Sequence, residues 1–201
     1  MIPYNLFYIN NNSIIGSTTS GNYRAFLFDI GKGDIVKTVD DIFFEQRSEK
    51  NRGHLGQIFY AENDYNFEHE CFVSALRMFH RVDLYNSDLS LRFSIINENE
   101  FDPVLSNDPN RYLTDATMFH YVDVYTTSKY IFALYCGKDF KSATPGIGNE
   151  MHVFSWDGDA LAKIFLDIGL SRFIITDKKI VGINWYENQP IVVYNLPDLS
   201  G

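Results

Sequence analysis

Two aspartates stand in near-identical contexts, Val82-Asp83-Leu84-Tyr85 and Val122-Asp123-Val124-Tyr125. Paired carboxylates do acid–base work if they converge on one reacting atom. Alternation along a half-exposed strand also puts a polar residue at such positions, and that is the reading adopted for both. The histidines are His54, His69, His80, His120 and His152; none forms a ligand spacing such as His-x-Glu-x-x-His, and no Cys-x-x-Cys occurs. His69-Glu70-Cys71 is the tightest group of possible ligands, but in a strand residues 69 and 71 share a face while 70 points away. No Gly-x-Ser-x-Gly elbow is present. Gly146-Ile147-Gly148 falls in a loop, Ser142–Glu150, without the strand–turn–helix setting of a phosphate cradle. No catalytic residue, metal or cofactor is therefore expected.

The more informative excess is aromatic: 16% of the chain, with 17 Phe, 13 Tyr and 2 Trp. Most of these rings must fill a core. Tyr112, Phe119, Tyr121, Tyr130, Trp185 and Tyr186 are the candidates for a contact surface, since aromatics with few charges bind sugars or peptides by stacking.

These side chains need a scaffold, and 201 residues with 45% apolar content suffice for a substantial core. Disorder is excluded on the same ground. Acidic residues outnumber basic ones 26 to 17, a formal charge of −9, which argues against a generic nucleic-acid binder. The mixed-sign stretch Glu45–Arg52 reads as a solvated loop, and the Asn-, Asp- and Pro-rich segment Asn97–Asp115 as an irregular connection. No run approaches the ~20 apolar residues of a membrane helix. Met1-Ile2-Pro3-Tyr4-Asn5 is neither basic nor apolar enough to be a secretory leader. As written, the chain is expected in the cytoplasm; an upstream signal would place it in the periplasm or outer membrane. Cys71 and Cys136 lie in apolar, strand-like surroundings and read as buried free thiols.

Helical periodicity is weak, and short β-branched and aromatic runs broken by Gly, Asn and Asp dominate. Four runs are copies of one pattern: Arg24–Asp29, Arg81–Asn86, His152–Asp157 and Pro190–Asn195, each a strand closing on an aromatic followed by Asp or Asn. The ring fills space between packed sheets, and the Asx side chain opens the next turn. The aromatics are Phe28, Tyr85, Trp156 and Tyr194, and their shortest interval is close to the ~40–50 residues of a propeller blade. The expected fold is all-β: a β-propeller of four-stranded antiparallel blades, about four of them, over residues 4–40, 54–97, 117–167 and 170–197. Gln57–Tyr60 is the expected opening strand of the second. The last holds three strands, Phe173–Thr176, Ile180–Trp185 and Ile191–Tyr194.

The closing stretch resembles the TolB-like six-bladed β-propeller proteins, a family that includes lipoproteins of Gram-negative gut anaerobes. Met151–Gly158, Ala162–Leu166, Ser171–Asp177, Ile180–Trp185 and Ile191–Leu196 carry the likeness. The resemblance implies six blades at ~40–50 residues each, so four would correspond to blades three to six. Three outcomes then stay open: the first two blades are missing by truncation, the four units close by themselves, or open sheet edges pair between chains as a homodimer.

Two functions follow. The first is a non-enzymatic binding or scaffold module for a protein, peptide or glycan. The alternative is a lyase or hydrolase with acidic residues at the central channel. Three or more carboxylate, His or Arg side chains meeting within hydrogen-bonding reach would favour the second.

Overall fold

The computed structural model describes residues 3–18, 23–40, 58–97, 103, 113–144, 146–188 and 190–199. These residues form four antiparallel sheets, each a simple meander. Sheet 1 holds β1 (Pro3–Asn10), β2 (Ser13–Thr18), β3 (Tyr23–Asp29) and β4 (Asp34–Asp40). Sheet 2 holds β5 (Ala61–Asn66), β6 (Cys71–Leu76), β7 (Arg81–Asn86) and β8 (Leu91–Ile96). Sheet 3 holds β9 (Met118–Thr126), β10 (Tyr130–Asp139), β11 (Gly148–Ser155) and β12 (Ala160–Leu170). Sheet 4 has three strands, β13 (Arg172–Thr176), β14 (Lys179–Ile183) and β15 (Ile191–Asn195).

The sheets stack face on face. Ile15, Ala25 and Val39 of sheet 1 pack on Tyr65, Phe72 and Tyr85 of sheet 2. Val73, Ala75, Val82 and Leu84 of sheet 2 pack on Tyr121, Val124, Ile131 and Ala133 of sheet 3. Val122, Phe132, Leu134 and Met151 of sheet 3 pack on Phe173 and Ile180 of sheet 4. Strands β6 and β10 thus bury both faces, which is why they read as unbroken apolar runs rather than as alternation. Each buried large side chain contributes ~1.5–3 kcal/mol. Gly182 permits the last contact, because a Cβ there would lie 2.4 Å from Leu170 Cδ1.

The first strands of the sheets lie side by side: β9 contacts both β5 and β13, and Tyr4 of β1 meets the Tyr60 ring at 5.0 Å. The arrangement is that of a partial propeller with β1, β5, β9 and β13 around the axis. The four sequence copies are structurally equivalent, since each belongs to the third strand of its sheet. The Asx reading holds at Asp29, which accepts the Lys32 amide at 3.0 Å, and at Asn86, which caps the turn through Ser90. After Trp156 the task passes to Ser155, whose Oγ accepts the amides of Asp157 and Asp159.

Three local expectations are corrected. Residues 58–60 are not a strand; β5 starts at Ala61. Its sequence, Ala-Glu-Asn-Asp-Tyr-Asn, is too polar to look like a strand, yet Ala61, Glu62, Tyr65 and Asn66 are buried. Tertiary pairing of the polar groups overrides propensity there. His69 and Glu70 lie in the turn before β6 rather than in a strand, with Glu70 at φ 46°. The strands that carry Trp156 and Trp185 in sequence end earlier, at Ser155 and Ile183. Gln57, His54, Glu45–Arg52 and most of Asn97–Asp115 lie outside the described residues.

Cys71 and Cys136 are buried free thiols, and burial raises both thiol pKa values. Among the described residues no helix is long and apolar enough to cross a membrane.

Candidate functional site

The meander gives the molecule two unlike ends. At one end lie only tight turns, at 11–12, 30–33, 67–70, 87–90, 127–129, 156–159 and 177–178. At the other, the chain leaves β4, β8, β10 and β14 for the longer intervals 41–60, 97–117, 140–147 and 184–190. Because sheet members alternate in direction, every first strand begins at that second end.

There, Arg172 at the start of β13 gathers groups from all four sheets. Its Nη1 donates to the Val122 carbonyl at 2.7 Å and the Ser171 carbonyl at 3.2 Å. Its Nη2 donates to the Tyr4 hydroxyl at 2.9 Å and lies 3.0 Å from Glu62 Oε2. Asp123 Oδ1 stands 3.7 Å from the same guanidinium, while its Oδ2 accepts the Phe173 amide at 2.9 Å. Arg77 holds the other Glu62 oxygen at 2.7 Å and covers the Tyr60 ring at 4.2 Å. Burial pushes Asp123 up to about 7 although Arg172 opposes it. Burial works against the Arg172 charge, but Glu62 and Asp123 more than offset it and raise its pKa. Burial, aided by the Glu62 charge, drives the Tyr60 phenol far above its usual value. The carboxylate ends of these pairs are buried, whereas the Arg172 and Arg77 side chains are 37% and 24% exposed, so solvent screens part of the attraction.

Asp83 belongs to a separate network. It is fully buried and takes Arg24 Nη2 at 3.1 Å, Arg81 Nε, Ser94 Oγ at 2.6 Å and the Tyr85 hydroxyl at 3.1 Å. Asp83 and Asp123 are therefore buried anchors of different interfaces, not half-exposed strand residues, and they do not form a pair.

The histidines make a third group. His80, Tyr135 and His152 stack, with centroids 4.9 and 4.5 Å apart, and His80 stacks on His120 at 5.4 Å. His152 Nε2 meets Glu150 Oε1 at 2.7 Å, and Tyr121 Oη lies 3.2 Å from His152 Nδ1. Burial lowers the His152 pKa. His80, Tyr121 and His152 form one wall of a cleft of about 240 Å³ between sheets 2 and 3, with Ile95, Phe154 and Lys163 also lining it. His69 instead stacks on Trp156 at 3.9 Å and bonds the Ser128 carbonyl at 2.8 Å, so it ties two sheets together. Among the described residues no group of three or more His, Cys, Asp or Glu is placed to hold a metal ion.

The six aromatics chosen from sequence separate. Trp185 and Tyr186 are 68% and 65% exposed, in the β14–β15 connection beside Arg172. Their turn is held by Asn184, whose Oδ1 accepts the Tyr186 amide at 2.9 Å and whose Nδ2 donates to the Gly169 carbonyl at 2.8 Å. Phe119, at the same end, is half-buried and stacks on Phe140 at 5.4 Å. Tyr121 is buried in the core at 1% exposure, which removes it from any contact surface. Tyr130 is half-buried at the opposite, tight-turn end, edge-on to Phe132. Tyr112 lies outside the described residues. Glu62, Arg77 and Arg172 were not singled out as site residues, because no local spacing marks side chains that meet only across sheets.

A family model described as TolB-like 6-blade propeller-like matches residues 3–178. No curated protein matches the chain. Among solved structures, a member of the DUF4221 family from Bacteroides vulgatus superposes with a TM-score of 0.57 at 10% identity, over 94% of this chain and 63% of that one. Sqt1 of Saccharomyces cerevisiae gives 0.55 at 12% identity, over 94% of this chain and 43% of that one. The computationally designed Ika4 protein gives 0.54 at 10% identity, over 96% and 89%. The chain spans less than two thirds of the two natural proteins, and at these identities the likeness concerns the fold alone.

Proposed function

The chain belongs to the TolB-like 6-blade propeller-like family, and on that premise we propose that it is a non-enzymatic binding or scaffold module for a protein, peptide or glycan. The contact surface is the end that bears the long connections. The observation that carries this reading is the pair Trp185 and Tyr186, both exposed on a turn fixed by Asn184. Loops held by a rigid scaffold are where recognition concentrates, and large aromatics supply contact area at small entropic cost. Of the six aromatics, Trp185 and Tyr186 are retained as contacts, and Phe119, half-buried against Phe140 at the same end, as a secondary candidate.

The test is to probe peptide and glycan arrays with the chain and to titrate the hits. The Trp185→Ala/Tyr186→Ala double variant is expected to weaken binding at least ~30-fold, the scale of a ~2 kcal/mol hot spot. Substitution of Asp157 in the tight turn at the other end is expected to leave binding unchanged. Equal binding by the double variant would put the contact surface elsewhere.

One observation favours the catalytic alternative: Glu62, Arg77, Asp123 and Arg172 converge at the first strands, and Asp123 sits near neutrality. A general acid–base group needs a pKa near working pH. Against it, both Glu62 oxygens are engaged by arginines, and Asp123 is only 8% exposed. Lyase or hydrolase turnover on any substrate of a panel, abolished by Asp123→Asn, would reverse the preference.

A further inference from the structure

We propose that β15 is an association edge, occupied by β15 of a second copy of this chain in antiparallel register centred on Val193. Among the described residues, β15 pairs only with β14, whereas the third strand of every other sheet pairs with a fourth. An open edge presents unpaired backbone N–H and C=O groups, and proteins that leave one in water protect it with charge, proline or a bulge.

The outermost strands here do carry such charges. Strand β4 has Asp34 and Lys37, β8 has Arg92, and β12 has Lys163 and Asp167. Strand β15, Ile-Val-Val-Tyr-Asn, has none. Ile191 and Val193 are 67% and 53% exposed, and Val193 continues a row through Val181 to Ile174. This strand has the composition of an interior strand placed at an edge.

Self-pairing fits its sequence. With Val193 opposite Val193 of the second copy, Ile191 faces Asn195 and Val192 faces Tyr194, each pair reciprocated by the two-fold axis. No like charges oppose one another in that register. Strands β13 to β15 contain no acidic residue, so the overall charge of −9 puts none of its carboxylates on the joined strands. Two three-stranded sheets would become one of six strands, with both edges satisfied.

The decisive experiment uses cysteine. Val193→Cys places two thiols across the axis, at the ~4.5–5.5 Å Cβ separation of directly opposed residues, and both native cysteines are buried. Air oxidation is expected to yield a covalent dimer on non-reducing gels. Ile174→Cys, exposed on the same face but two strands from the edge, is expected to remain monomeric on the same gels. Light scattering of the unmodified chain at high micromolar concentration is expected to report twice the chain mass, and Val193→Lys half of that with an unchanged far-UV spectrum. Should Val193→Lys not fold, the cysteine pair decides. A monomeric unmodified chain, or equal cross-linking of the two cysteine variants, overturns the proposal; a different polypeptide pairing at β15 would appear as the first of these.

Discussion

Asp83→Ala is expected to lower the stability of the chain by ~3–5 kcal/mol, the range for removing one partner of a buried ion pair. The carboxylate is the common acceptor for Arg24 of sheet 1, Arg81 and Tyr85 of sheet 2, and Ser94 at the sheet edge. The site has no access to water, so solvent cannot replace what the mutation removes. A loss of that size consumes a fifth or more of the ~5–15 kcal/mol available to a typical domain. Urea unfolding followed by circular dichroism measures it. Asp83→Asn keeps the shape and some acceptor capacity, so it should fall between wild type and Asp83→Ala. A loss below ~1 kcal/mol in Asp83→Ala would show that the sheet 1–sheet 2 interface does not depend on this anchor.

The second large effect depends on pH. Asp123 has a folded-state pKa raised to about 7 from 3.8, chiefly by burial. A raised pKa means that its contribution is fully present below the unfolded value and is lost as pH rises through about 7. At ~1.4 kcal/mol per pH unit, the wild type is expected to lose ~2–3 kcal/mol between pH 5 and pH 8 relative to Asp123→Asn, which has no proton to release. His152 acts in the opposite sense. Its lowered pKa makes its contribution present above 6.5 and lost as pH falls through the folded value. Comparing wild type with Asp123→Asn at each pH cancels the histidine and isolates the carboxylate. Parallel stability profiles for the two proteins would show that Asp123 is ionised throughout, held so by Arg172.

The two aspartates show how far a local reading reaches. Val-Asp-Leu-Tyr and Val-Asp-Val-Tyr look alike in the chain, and both do lie on strands. One meets two arginines in the sheet 1–sheet 2 interface, the other meets one arginine and an amide beside the axis. Strand alternation places a side chain on a face; it does not say whether that face meets water or another sheet. Strand β5 failed for the same reason, since Glu62 and Asn66 are acceptable inside only because Arg77, Arg172 and Thr126 are brought to them.

The all-β class, the third strand common to the four sheets and the burial of both cysteines as free thiols were legible in the chain itself. They depend on nearest neighbours: β-branched runs stiffen the backbone, aromatics close strands, and Asx or Ser side chains bond the turn they begin. Tertiary structure alone decided which polar groups go inside, which end exposes Trp185 and Tyr186, and which sheet has only three strands among the described residues. Those outcomes arise between sheets whose residues lie tens to more than a hundred positions apart, as Arg172 and Tyr4 do. Packing energy acts through contacts that no sequence window contains.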